Sequence, residues 1–65
     1  MTDTNKLRSI IVGKGMTQGF VADKLGISHQ SFSYKVNNKV EFKASEIETL
    51  CSLLEINDKD SIFFA

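Results

Sequence analysis

Proline and tryptophan are missing from these 65 residues, and cysteine and tyrosine occur once each. Without proline, and with four scattered glycines, the chain has no linker-like or low-complexity stretch, which argues against disorder. A single cysteine excludes an intramolecular disulfide framework and a cysteine-based zinc cluster. No apolar run is long enough to span a bilayer, and no signal peptide is evident, so a cytoplasmic protein with no membrane partner is expected. There is no strand-like alternation of useful length and no internal repeat. Net charge is also absent, with eight basic and eight acidic residues. That balance at first speaks against a polyanionic partner, but the charges are segregated. Residues 1–43 hold seven Lys/Arg and three Asp/Glu, whereas residues 44–65 hold one Lys and five Asp/Glu. A basic front and an acidic back orient a molecule on nucleic acid.

What is present is a series of short apolar periodicities separated by helix start and stop signals. Asp3 or Thr4 can cap a first helix carrying Leu7, Ile10 and Ile11 and running to about Val12, where Gly13-Lys14-Gly15 breaks it. Thr17 caps a second helix ending at Gly26, a residue that takes positive φ at low cost. Ser28 caps a third, running to about Val36. Asn37 to Lys43 read as a polar loop. Ser45, with Glu48 three residues on, resembles a capping box ahead of the stripe Ile47, Leu50, Cys51 and Leu54. Asn57-Asp58 interrupts, and Asp60 to Phe64 form a last helical turn. The fold class is therefore all-α: one domain over residues 1–65, a compact bundle of four to five short helices. Its expected core is Leu7, Ile10, Ile11, Val21, Ala22, Leu25, Ile27, Phe32, Val36, Ile47, Leu50, Cys51 and Leu54. Ile62 and Phe63 are expected to fold back beneath the first and fourth helices, because a chain this short needs core area. Phe64 is expected to stay more exposed and to contribute to a dimer contact.

The stretch Gln18–Val36, QGFVADKLGISHQSFSYKV, combines a small residue at Ala22, a glycine turn at Leu25-Gly26-Ile27-Ser28 and a capped polar helix. That is how a DNA-binding helix-turn-helix is built, here over about residues 17–36. It resembles the XRE, or lambda-repressor-like, family from about Leu7 to Phe64. Thr17-Gln18 and Ala22-Asp23-Lys24-Leu25-Gly26-Ile27-Ser28 carry the resemblance. The tail, Asn37-Asn38-Lys39 through Ser45-Glu46-Ile47 to Ile62-Phe63-Phe64-Ala65, is similar to short phage and prophage regulators of Gram-positive bacteria.

The resemblance implies a Cro-like transcriptional repressor that binds double-stranded operator DNA through a recognition helix at about residues 28–36. Phe32 and Val36 should face the core, leaving His29, Gln30, Ser33 and Tyr34 to meet base edges; a Gln can pair bidentately with adenine. Thr17, Gln18, Ser31, Lys35, Asn38, Lys39 and Lys43 are the implied contacts to the DNA backbone. A homodimer and a partner repressor are the protein partners this reading allows. The rival is an antirepressor, a protein-binding helix-turn-helix that occludes another regulator; zero net charge and an exposed Phe20 favour it.

No carboxylate or cysteine stands at ligand spacing from His29, so no metal, cofactor or catalytic role is expected. Cys51 should act as a small hydrophobe on the apolar face of its helix. Two positions depart from the family pattern. Phe20 stands where a polar residue is usual, and Gly19 beside it weakens the helix by roughly 1 kcal/mol relative to Ala. Lys35 stands where an apolar residue is usual.

Overall fold

The computed structural model describes residues 1–65 as five helices joined by short connections, with no strand. They are α1 (Thr4–Gly13), α2 (Gln18–Leu25), α3 (His29–Val36), α4 (Ala44–Leu54) and α5 (Asp60–Phe63). None is long and apolar enough to cross a membrane.

The first three helices begin at residues whose side chains close the orphan amides of the first turn. Asp3 accepts from the Lys6 amide, Thr17 from Phe20 and Ser28 from Ser31. Gly26 ends α2 in the left-handed conformation, φ 73° and ψ 28°. The next amide, Ile27, then reaches back to the Ala22 carbonyl at 3.1 Å, closing the helix end.

The start of α4 differs from the expectation. Lys43, not Ser45, is the N-cap residue, and it offers no side-chain acceptor. Glu46 supplies the cap instead, its Oε1 accepting from the Lys43 amide at 2.8 Å. Glu46 is drawn there because the Lys35 ammonium lies against the same carboxylate. The sequence pattern S-x-x-E at residues 45–48 thus lies two residues too late.

Leu7, Ile11, Val21, Ala22, Phe32, Val36, Ile47, Leu50, Leu54, Ile62 and Phe63 form one buried cluster. Burial of Ile62 and Phe63 follows the expectation, and Phe64 stands outside, 60 % exposed. Four expected core residues, Ile10, Leu25, Ile27 and Cys51, lie only at its margin. Burial and the nearby Glu48 push the Cys51 thiol above its ordinary value. The loop expected to be polar supplies Phe42, whose ring bridges the cluster edge-to-face. Its centroid lies 6.0 Å from that of Phe32 and 5.6 Å from that of Phe63.

The two chain ends are tied together. The Asp3 amide donates to the Ile62 carbonyl, and the Ala65 amide to the Met1 carbonyl. This pairing holds α5 beside α1.

Candidate nucleic-acid interface

Helix α3 divides cleanly into an inner and an outer side. Phe32, Lys35 and Val36 are buried, Ser31 and Ser33 half-buried, and His29, Gln30 and Tyr34 exposed. The division follows from helical geometry, since residues 32 and 36 lie four apart on one face while 30 and 34 lie four apart on another. Against the buried face, α2 places Val21 and Ala22, both without solvent exposure. With only a methyl group at Ala22, α3 can lie close to α2.

Side chains of the outer face contact one another. Gln30 Nε2 donates to Tyr34 Oη at 2.9 Å. The Lys39 ammonium stands over the Tyr34 ring, 5.6 Å from its centroid. One amide hydrogen and the carbonyl of Gln30 remain free for an incoming partner. His29, the first residue of α3, lies with its imidazole over Gly19 at the start of α2. Gln18 is half-buried beside it in sequence, in the first turn of α2. Thr17 and Ser31 lie at the first turns of α2 and α3, where the Thr17 hydroxyl accepts from Phe20 and the Ser31 amide donates to Ser28.

The far end of α3 is fixed by polar side chains from α1 and α4. Thr4 Oγ1 donates to the Val36 carbonyl at 2.6 Å, and Arg8 Nη2 to Asn37 Oδ1 at 3.1 Å. Asn38 adopts φ 64°, in the left-handed region that asparagine tolerates better than most residues. Its side-chain amide bridges Thr2 in both directions, accepting from the Thr2 amide at 2.8 Å and donating to the Thr2 carbonyl at 2.9 Å. Tyr34 offers its carbonyl to the Lys39 and Val40 amides, so the loop folds back over the helix end. Asn37 closes on Ser33, donating to its carbonyl at 2.8 Å.

Three of the sequence-predicted residues need correction or restatement. Lys35 does not reach the surface; it is 6 % exposed, and its ammonium lies 2.7 Å from both Glu46 oxygens. It is the polar link between α3 and α4, not a contact to a DNA backbone. Asn38 lies at the expected place, but its amide is committed to Thr2. Ser33 is half-buried and turned toward Asn37, so it offers less than His29, Gln30 or Tyr34. Lys39 and Lys43 are exposed as expected.

Arg8 was missed. It is an exposed cation of α1 that folding brings to the end of α3, 29 positions away in sequence. Its only local signal is its position beside Leu7 on the outward side of an amphipathic helix, which does not say what it meets.

The Lys35–Glu46 pair also settles its own electrostatics. Burial disfavours the Glu46 carboxylate, but the Lys35 ammonium and the Lys43 amide together outweigh that cost and hold its pKa below the ordinary 4.5. With this pair internal, the exposed charge of residues 1–43 is six basic against three acidic, and that of 44–65 is one against four. The segregation of charge therefore survives on the surface.

Apolar side chains also reach the surface elsewhere. Met1, Val40 and Phe64 are exposed around a cleft of about 280 Å³ floored by Phe42, Ile47 and Phe63. On α2, Phe20 is 44 % exposed with the Lys24 ammonium 5.3 Å from its ring centroid.

The family model described as "Protein of unknown function (DUF739)" matches the chain over residues 1–65. Comparison with curated proteins and with solved structures found no match.

Proposed function

We propose that this chain, which belongs to the DUF739 family, is a sequence-specific DNA-binding regulator of transcription, a Cro-like repressor of the XRE, lambda-repressor-like type encoded by a phage or prophage. The observation that carries the reading is the Gly26 turn. It joins α3 to α2 with the apolar face of α3 inward and leaves His29, Gln30 and Tyr34 exposed on a helix capped by Ser28. This is the disposition that a recognition helix needs to enter a major groove with its N-terminal residues against base edges. Gln30 and His29 read bases, while Gln18, Lys39, Lys43 and Arg8 meet phosphates. The protein acts by occupying an operator, as a dimer on half-sites about 34 Å apart. Thr4, Asn38 and the buried Lys35–Glu46 pair hold α3 by its far end.

Binding to a randomised duplex library, followed by titration on the selected sequence, tests the proposal. Affinity should fall with salt by about 0.9 log units per log unit for each phosphate neutralised. Gln30→Ala should lose roughly 1–3 kcal/mol at one or two base positions, whereas Lys39→Ala should weaken all sequences alike. A protein that selects no sequence and binds no duplex at low salt would support the second reading. In that reading the chain is an antirepressor that covers another regulator, and the apolar surface at Met1, Val40, Phe64 and Phe20 favours it.

A further inference from the structure

Gly19 lies in the first turn of α2, where glycine is a poor helix former. Its backbone is not in the left-handed region, so the helix itself does not require a glycine there. What the position lacks is room. A Cβ built on Gly19 would lie 2.5 Å from His29 Cε1 and 2.8 Å from Nε2, closer than carbon or nitrogen can approach without displacement. The other three glycines, Gly13, Gly15 and Gly26, have open space where a Cβ would go. Gly19 is therefore the one glycine of the chain against which a side chain rests, and that side chain is an exposed imidazole on the outer face of α3.

We propose that Gly19 is a positioning residue for DNA readout: its bare backbone is the seat that fixes the His29 imidazole at the start of α3. The inference rests on reading α3 as the recognition helix. An exposed ring at a helix start turns freely about two torsions, and that freedom must be given up on binding. A ring laid on the α2 backbone has given up part of it in advance and points in one direction. A side chain at residue 19 displaces only the ring, because the ring is the movable partner. Helix propensity and readout then respond in opposite senses. Alanine at 19 favours α2 while unseating His29.

The test compares the parent with Gly19→Ala, His29→Ala and the double variant. In the free protein, nuclear Overhauser contacts between the His29 ring and the Gly19 Hα protons should be present in the parent, and the ring resonances should shift in Gly19→Ala. The melting temperature of Gly19→Ala should rise by about 2–6 °C. In selection from randomised duplex DNA, Gly19→Ala should lose discrimination about five-fold or more at the base pair that His29→Ala also loses. The double variant should match His29→Ala alone, since an alanine at 19 has nothing left to displace. Absence of the ring contact in the parent overturns the seat. A lowered melting temperature for Gly19→Ala overturns it too, by making the glycine a packing requirement. Unchanged selectivity in Gly19→Ala, or an equal loss with and without His29, overturns the positioning role. If the parent shows the ring contact but selects no sequence, the DNA reading fails, and the contact is then packing alone.

Discussion

Removing Glu46 while leaving Lys35 in place is the sharpest perturbation the structure offers. The two side chains are 7 % and 9 % exposed, and the ammonium sits 2.7 Å from each carboxylate oxygen. Glu46→Leu leaves a buried, unpaired ammonium and also strips the Lys43 amide of its acceptor. Breaking a buried pair from one side costs about 3–5 kcal/mol. At roughly 0.05–0.15 kcal/mol per residue, a chain of 65 residues has only about 3–10 kcal/mol in total. Glu46→Leu should therefore lose between about a third and all of the stability. Replacing both partners, as Lys35→Met/Glu46→Leu, removes the desolvation penalty with the charges. Such replacements are often neutral or stabilising by about 1–4 kcal/mol, against which the lost cap costs about 1 kcal/mol. The double variant should thus recover to within about 2 kcal/mol of the parent. Urea unfolding followed by circular dichroism at 222 nm measures all three proteins. If Glu46→Leu costs less than about 1 kcal/mol, as surface pairs do, the pair is not the internal link between α3 and α4 described above. A double variant as unstable as the single would equally refute the reasoning.

The same pair makes stability depend on acid. Glu46 is more acidic folded than unfolded, so its stabilising effect is complete above its ordinary value of 4.5 and is lost as pH falls below it. The melting temperature should drop through that range, and the drop should be shallower in Glu46→Gln. Gly26→Val places a β-branched residue at φ 73°, which should cost at least about 1–2 kcal/mol. Gly13→Ala, at an ordinary φ with open space around it, should be neutral or stabilising on the same denaturation assay. Truncation after Asp60 removes the buried Ile62 and Phe63, worth about 3–6 kcal/mol together, and the bonds that Asp3 and Ala65 make between the chain ends. The truncated protein should be largely unfolded at 25 °C by circular dichroism; cooperative unfolding near the parent's midpoint would show that the tail is dispensable.

The elements that were legible in the sequence are those whose signals are local. Asp3, Thr17 and Ser28 cap their helices through bonds to residues three positions on, and Gly26 ends α2 by its own conformational freedom. The four- to five-helix all-α fold followed from the same kind of signal, one apolar stripe at a time, and the burial of Ile62 and Phe63 from a short chain's need for core area. What escaped depends on partners distant in sequence. Lys35 reads as a surface cation until Glu46, 11 positions later, arrives against it. That same encounter moves the start of α4 from Ser45 to Lys43. Phe42, flanked by Glu41 and Lys43, reads as a loop residue until Phe32 and Phe63 close around it. At the candidate interface, the outward placement of His29, Gln30 and Tyr34 was legible from helical spacing. The contributions of Arg8, Asn38 and Gly19 were not, since each acts through a neighbour that only the folded chain supplies.

The most direct test of the DNA-binding reading is a nuclear magnetic resonance titration of the labelled protein with a duplex carrying the sequence it selects. Amide and side-chain shifts should concentrate at Gln18, His29, Gln30, Tyr34 and Lys39, with Arg8 at their edge and the Phe64 cleft changed only through self-association. A duplex that leaves α3 unperturbed, or whose effects centre on Met1, Val40 and Phe64, would contradict it.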